Sequence, residues 1–160
     1  MPDFSRLVEI ARTVCKAEVK TDETATPKAI IVPASELISV CRQFHENPET
    51  YFDMLSCVTG LDNGPAAGTM EVAYNLYSIP FNLHLMIKVI LDRSNPEVES
   101  LTSIWKGADW LERETYDMYG IKFINHPDLR RILNPADWEG YPLRKDYKHQ
   151  ETYHGIKVEY

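Results

Sequence analysis

The stretch EVAYNLYSIPFNLHLMIKVIL, residues 71–91, contains two segments in which apolar residues recur at every second position. These positions are Val72, Tyr74 and Leu76 in the first segment and Leu85, Ile87, Val89 and Leu91 in the second. A period of two residues places such side chains on one face of a strand. Because Pro80-Phe81-Asn82 interrupts the pattern as a turn signal, we predict an antiparallel pair of strands at 71–79 and 85–91.

Two shorter apolar segments extend this pair into a sheet. Residues 29–32 are bounded by Pro33, and residues 54–61 end at the turn signal Asp62-Asn63-Gly64. We interpret KTDETATPK, residues 20–28, as a polar loop. The three later strands follow one another through turns rather than crossover helices, so we expect a four-stranded sheet.

We predict helices at residues 4–16, 97–105 and 109–119, and a further helix that begins at Leu37 and ends near Asn47-Pro48. Asp3 is a suitable N-cap for the first helix. For the last helix, Asp109 and Glu112 have the spacing of a capping box, and Gly120 supplies the C-terminal stop. The predicted fold class is therefore α+β, with a four-stranded sheet and helices packed on one face, formed by a body domain of residues 1–119.

Residues 120–160 differ in character from this body. Prolines at positions 127, 135 and 142 interrupt any regular period, and the segment is rich in aromatic residues, which disordered tails usually lack. We predict an extended C-terminal tail that lacks regular structure and wraps a partner protein.

Composition limits the possible functions. The formal net charge of -7 argues against a nucleic acid or an anionic membrane surface as the main partner. No apolar run approaches the roughly 20 residues that span a bilayer, and the N-terminal sequence MPDFSRLVEI lacks the pattern of a signal peptide. We therefore expect a soluble, cytoplasmic protein unless a partner holds it on a membrane.

The cysteines and glycines indicate neither a metal centre nor a nucleotide site. Cys15, Cys41 and Cys57 are spaced 26 and 16 residues apart, which matches no zinc-binding or cluster-binding pattern. None of the seven glycines belongs to a GxGxxG motif or to a P-loop. We expect no cofactor in this chain.

The sequence is more specific between residues 112 and 147. ERETYDMYGIKFINHPDLRRIL (112–133) and DWEGYPLRKDY (137–147) together resemble the signature of the C subunit family of proton-pumping NADH:quinone oxidoreductase, respiratory complex I. The residues that carry the resemblance are Glu112, Arg113, Glu114, Asp117, Gly120, His126, Pro127, Arg130, Arg131, Trp138, Glu139, Gly140, Pro142, Leu143, Arg144, Lys145, Asp146 and Tyr147.

The resemblance implies a non-catalytic subunit of the hydrophilic arm of the complex. Flavin, iron–sulfur clusters and quinone are then expected in partner subunits and not in this chain. The implied partners are the D subunit, over which the tail wraps, and the neighbouring iron–sulfur subunits. The resemblance also implies a peripheral location on the cytoplasmic side of the inner membrane, held through the complex.

We expect one set of residues to bind a partner or to anchor the tail. The set is Glu112, Arg113, Glu114, Asp117, His126, Arg130, Arg131, Trp138, Tyr141, Leu143, Arg144, Lys145 and Tyr147. Within it, Glu114 and Asp117 lie on one helix face and suit ion pairs, while Arg130 and Arg131 suit carboxylate partners. Trp138, Tyr141 and Leu143 are predicted to fill pockets on the D subunit, with Arg144 paired to a carboxylate.

Two other functions stay open at this point. One is the equivalent subunit of a membrane-bound hydrogenase or of a quinone oxidoreductase fed by another donor. The other is a free-standing small enzyme in which Glu114, Asp117 and His126 bind a metal or act as general acid and base.

Overall fold

The computed structural model describes residues 2–158 of the 160-residue chain; Met1 and residues 159–160, which the predicted domains include, lie outside the described residues. The helices are α1 (Phe4–Val14), α2 (Leu37–Glu46) and α3 (Ala108–Tyr119), with a short 3-10 helix at Ala34–Glu36 before α2. The strands are β1 (Lys20–Asp22), β2 (Ala29–Ile31), β3 (Met54–Asp62), β4 (Thr69–Ser78), β5 (Leu83–Asp92), β6 (Glu97–Glu99), β7 (Lys122–Ile124), β8 (Thr152–Tyr153) and β9 (Ile156–Lys157).

The strands predicted from residues 71–91 form the centre of the sheet. β4 and β5 pair in antiparallel register from Thr69 opposite Asp92 to Ser78 opposite Leu83. The main sheet has the order β1-β2-β5-β4-β3, in which β2 runs parallel to β5. The predicted α+β class and the predicted central pair are confirmed.

The sheet has five strands instead of the predicted four. β1 lies within the segment that we interpreted as a polar loop, and it pairs antiparallel with β2. Its side chains are polar, and Asp22 accepts a hydrogen bond from Lys88 Nζ on β5 at 2.7 Å. The backbone hydrogen bonds to β2 and this ion pair hold β1 at the sheet edge. Its sequence lacks the apolar alternation of a strand, so the sequence pattern did not reveal it.

The predicted helix at residues 97–105 is wrong. Residues 97–99 form β6, which runs parallel to β7 in a separate two-stranded sheet. Val98 and its partner Phe123 are both buried, and a single helical turn follows in which Trp105 N–H donates to Leu101 O at 2.9 Å. Pairing with a strand that lies 25 residues later supplies the backbone hydrogen bonds that a helix would have supplied locally.

α1 and α2 pack on the apolar face of the sheet. Asp3 caps α1 as predicted, because its carboxylate accepts the Arg6 N–H at 2.9 Å. Apolar side chains from both helices join those of the sheet in one core, which includes Leu7, Ile10, Val40, Phe44, Val72, Tyr74, Leu85 and Ile87. Ile121 and Phe123 are also part of this core, so the first residues of the predicted tail pack within the body.

Candidate functional site

The candidate site lies where the C-terminal segment, here residues 125–158, meets α3 and the turn after β3. This segment contains no helix, and its regular structure within the described residues is the short hairpin of β8 and β9. It contacts the body through two buried carboxylates, Asp117 on α3 and Asp62 at the end of β3.

Asp117 holds residues 131–134. Its carboxylate accepts hydrogen bonds from Arg131 Nη1 at 2.7 Å and from Asn134 Nδ2 at 2.9 Å. The backbone N–H groups of Ile132, Leu133 and Asn134 also donate to Asp117 Oδ2, at 3.0, 2.7 and 2.8 Å. Burial alone would raise the pKa of Asp117, but the hydrogen bonds from Asn134 and Arg131 outweigh it and lower the pKa to about 2. The Asp117 carboxylate is therefore ionised, and both of its oxygens accept hydrogen bonds from residues 131–134.

Asp62 holds the segment at a second point. Arg93 donates to it through Nε and Nη2, at 2.8 and 3.0 Å, and the Lys145 N–H donates at 2.8 Å. Arg93 Nη2 also pairs with Asp146, so the arginine links β3 and the loop after β5 to the C-terminal segment. Hydrogen bonding to Arg93 lowers the pKa of Asp62 well below its usual value, against the opposing effect of burial.

Tyr141 lies between two arginines over the end of α3. The guanidinium of Arg131 is 5.2 Å from the ring centroid and that of Arg144 is 4.9 Å from it. Arg144 Nε donates to Tyr119 O at 2.7 Å, and Arg131 Nη2 donates to Gly140 O at 2.8 Å. Two of the predicted site arginines thus bind backbone carbonyls and one ring within the chain.

The predicted capping box of α3 is wrong. α3 begins at Ala108 after Gly107, and Glu112 does not reach back to the helix N-terminus. Its buried carboxylate instead accepts Ser100 Oγ at 2.6 Å and the Leu101 N–H at 2.7 Å. The loop after β6 therefore supplies the hydrogen-bond donors that the N-terminus of α3 would have supplied to Glu112 in a capping box.

Burial and the nearby charge of Asp109 raise the pKa of Glu112 to about 7, although the bonds from Ser100 and Leu101 act in the opposite direction. His126 lies close to the same carboxylate. Its side chain is fully buried, with Nε2 at 3.1 Å from Asp109 O and 3.9 Å from Glu112 Oε2. The Asp128 N–H donates to His126 Nδ1 at 3.0 Å, so Nε2 is the nitrogen that carries the proton in the neutral ring.

We predict that Glu112→Gln removes a pH dependence of stability. The folded protein holds the Glu112 proton up to about pH 7, whereas the unfolded chain releases it near pH 4.5. The native state therefore binds more protons in this window, and its stability falls as the pH rises from 4.5 to above 7, by about 3 kcal/mol for this group. Urea unfolding at several pH values measures the difference between the two proteins. Parallel pH curves for wild type and variant would contradict the prediction.

Three other predicted site residues, Arg113, Arg130 and Trp138, make hydrogen bonds or ion pairs within the chain. Arg113 donates to the carbonyls of Arg130 and Arg131, at 3.2 and 3.4 Å. The side chain of Arg130 is exposed and pairs with Asp128 at 2.8 Å. Trp138 Nε1 donates to the Tyr147 hydroxyl at 3.2 Å, which closes a loop within the C-terminal segment.

Glu114 differs from the other acidic residues of α3. It is exposed, and within residues 2–158 its carboxylate makes neither a hydrogen bond nor an ion pair. Asp117 is occupied by residues 131–134, and His126 lies against Asp109 and Asp128. The structure does not bring Glu114, Asp117 and His126 together, and between residues 2 and 158 no group of three or more His, Cys, Asp or Glu side chains is arranged to hold a metal ion.

Sequence reasoning did not identify Asp62 and Arg93. Asp62 binds Lys145, which lies 83 positions later in the sequence, and Arg93 binds Asp146, which lies 53 positions later. The DNG turn that begins at Asp62 was the available signal, since an aspartate in such a turn is placed to accept backbone N–H groups; it does accept the Gly64 N–H at 2.9 Å.

Two solved structures share this α+β architecture. Nqo5, described as a trypsin-resistant fragment (1-134), superposes with a TM-score of 0.61 at 25% identity, covering 78% of this chain and 98% of that one. A structure of the membrane-bound sulfane sulfur reductase, an archaeal respiratory membrane complex, superposes with a TM-score of 0.69 at 21% identity, covering 88% of this chain and 82% of that one. The second likeness shows the fold alone.

The family model described as respiratory-chain NADH dehydrogenase, 30 Kd subunit, matches residues 30–153, and the chain belongs to this family. This confirms the resemblance that residues 112–147 carry. The C subunit of NADH-quinone oxidoreductase from Chloroherpeton thalassium is 52% identical over 116 residues, and the match covers 72% of this chain and 48% of that relative. The C subunit from Moorella thermoacetica is 40% identical over 142 residues, covering 89% and 93%. The chain thus spans about half the length of the first relative and most of the second.

Proposed function

We propose that this chain is a cofactor-free, non-catalytic subunit of the hydrophilic arm of NADH:quinone oxidoreductase. Its C-terminal segment binds the D subunit, and its body contacts the neighbouring iron–sulfur subunits. The flavin, clusters and quinone lie in those partners, and the chain is peripheral, held on the cytoplasmic side of the membrane through the complex. None of the helices in residues 2–158 is long and apolar enough to cross a membrane.

The observation that carries this proposal is that the C-terminal segment is fixed to the body while large apolar side chains on it face solvent. Leu133 and Leu143 are 62% and 52% exposed. The Leu133 N–H is held by Asp117, and the Leu143 N–H donates to Met118 O at 3.0 Å. A backbone that is already fixed loses little entropy on binding, so such residues favour a protein interface.

The same geometry refines the predicted contacts with the D subunit. Trp138 and Tyr141 are half-buried against other residues of the segment and α3, whereas Leu143 offers an exposed side chain. Trp110 on α3 is 69% exposed and supplies a further large apolar side chain outside the core. We therefore propose that Leu133, Leu143 and Trp110 enter pockets on the partner, while Trp138 and Tyr141 mainly shape the segment.

An incorporation assay tests this proposal. Tagged and untagged copies of the chain are expressed together, and their ratio is measured by mass spectrometry in the purified complex. We expect the double variant Leu133→Ala/Leu143→Ala to be incorporated about tenfold less than wild type, which corresponds to about 1.4 kcal/mol of lost binding. Ile90→Ala, which truncates a comparably exposed aliphatic residue on β5, serves as the control and should compete equally.

The non-catalytic role is tested in the same preparations. Quinone reductase activity per assembled complex should equal that of wild type, because the variants alter binding and not the reacting groups. A tagged wild-type chain that does not co-purify with the complex would contradict the proposal. A tenfold loss of activity in fully assembled variant complexes would contradict the non-catalytic assignment.

A further inference from the structure

A groove runs between β3 and α3 beside Glu114. One wall is the strand segment 57–60, and the other is formed by Leu111, Met118 and the aromatic ring of Tyr119. Leu143 of the C-terminal segment also lines it. The groove is therefore complete only when the C-terminal segment is docked on the body.

The walls of the groove are mainly apolar, and Glu114 places a carboxylate among them. Glu112 and Asp117 on the same helix already have donors, whereas Glu114 has none within the described residues. A carboxylate beside apolar walls is complementary to a side chain with a long aliphatic stem and a cationic end. Lysine and arginine are the side chains of this kind.

The strand wall offers further acceptor capacity. β3 is an edge strand of the five-stranded sheet, so no strand in the described part of the chain pairs with its outer backbone groups. Val58 O accepts a long hydrogen bond from Thr115 Oγ1, at 3.4 Å, and that hydroxyl lies closer to Leu111 O, at 3.0 Å. The Thr115 hydroxyl has a single hydrogen, and Leu111 O is the nearer acceptor for it. Val58 O therefore keeps the capacity to accept a hydrogen bond from another donor.

We propose that this groove receives a basic side chain from a neighbouring protein of the complex. Its aliphatic stem packs along Leu111, Met118 and Leu143, and its cationic end pairs with Glu114 at the groove rim. This inference rests on the proposed function, because the side chain belongs to another member of the same assembly. It identifies Glu114 as an interface residue, separate from the carboxylates that hold the C-terminal segment.

The test compares Glu114→Gln with Glu18→Gln in the incorporation assay against untagged wild type. The glutamine keeps the size of the side chain and removes its charge. Glu18 is a matched control, because it is exposed and also lacks a hydrogen bond or ion pair within the described residues. We expect about tenfold lower incorporation for Glu114→Gln, a larger loss for Glu114→Arg, and incorporation equal to wild type for Glu18→Gln. The isolated Glu114 variants should melt as wild type does, since the Glu114 carboxylate makes no hydrogen bond or ion pair within the described residues.

A salt series separates charge from shape. The advantage of wild type over Glu114→Gln should shrink at high ionic strength, because an ion pair at a groove rim is screened. Equal incorporation of Glu114→Gln and Glu18→Gln, with tagged wild type present in the complex, would overturn the inference and leave the proposed function intact. Absence of tagged wild type from the complex would overturn both.

Discussion

Replacing Asp117 by alanine is expected to lower the free energy of unfolding by about 3 to 5 kcal/mol, the usual cost of removing one partner of a buried ion pair. The substitution leaves Arg131, which is mostly buried, without its counter-charge. It also leaves the N–H groups of residues 132–134 without their acceptor. Each partly buried donor left unsatisfied adds a desolvation cost, so the loss exceeds that of an ordinary surface pair.

Hydrogen exchange and thermal melting together measure this effect. The amides of Ile132, Leu133 and Asn134 should exchange much faster in Asp117→Ala, because their shared acceptor is gone. Asp128→Ala removes an exposed carboxylate that pairs with Arg130 in the same part of the chain, and it should change the melting temperature little. Unchanged protection of these three amides in the Asp117 variant would contradict the prediction.

The Asp117 contribution also has a defined pH dependence. Because the folded pKa of about 2 lies below the usual value of 3.8, the stabilisation is fully present above about pH 4 and is lost as the pH falls toward 2. The difference in stability between wild type and Asp117→Asn should therefore shrink below about pH 4. A difference that stays constant down to about pH 2 would mean that the charge of Asp117 is not what holds the segment.

Gly120→Ala should cost about 2 to 5 kcal/mol, from two independent causes. Gly120 has a φ of 73° at the C-cap of α3, a left-handed conformation that costs an L-residue with a Cβ about 1 to 2 kcal/mol. An added Cβ would also lie 2.5 to 2.7 Å from three ring atoms of Tyr141. Forcing the ring away is an overpacking cost of about 1 to 3 kcal/mol, and it separates Tyr141 from Arg131 and Arg144.

Gly68→Ala is the matched control for this substitution. Gly68 has a φ of 65°, but a Cβ added there would meet no atom of residues 2–158 within 4 Å apart from those of its chain neighbours. The melting temperature of Gly68→Ala should therefore report the conformational cost alone. The difference in melting temperature between Gly68→Ala and Gly120→Ala isolates the contact with Tyr141. Tyrosine fluorescence or the ring resonances of Tyr141 should change in Gly120→Ala and stay unchanged in Gly68→Ala. Equal destabilisation by both substitutions would show that the ring contact contributes nothing.

Local patterns predicted the features that local forces determine. The alternation in residues 71–91 located β4 and β5, and Asp3 and Gly120 marked the ends of helices because their roles depend on neighbours within a few residues. β1 escaped detection because its side chains face solvent and carry no apolar period. The segment 97–105 was misassigned because β6 depends on pairing with β7, which lies beyond α3.

The candidate site was only partly predictable for the same reason. The signature residues were found through their resemblance to a family, but the sequence does not show which carboxylate each one meets. Glu112 was interpreted as a capping residue because spacing alone favours that role, whereas tertiary packing directs it to Ser100 and Leu101. Asp117 and Glu114 are three residues apart, yet one is buried among donors and the other is exposed. Burial, which decides between these roles, depends on the whole fold.

The link between Asp62 and the Lys145 N–H has a consequence for the timing of biosynthesis. Residue 145 is synthesised 83 positions after Asp62. This contact therefore cannot form while residue 145 is still within the ribosomal exit tunnel. The sheet can collapse earlier, because β3, β4 and β5 are neighbours in sequence and pair through short connections. Leu143 leaves the tunnel at nearly the same time as Lys145, so the bond from its N–H to Met118 O forms late as well. A nascent chain would therefore contain a folded sheet before residues 143–145 are in place against it.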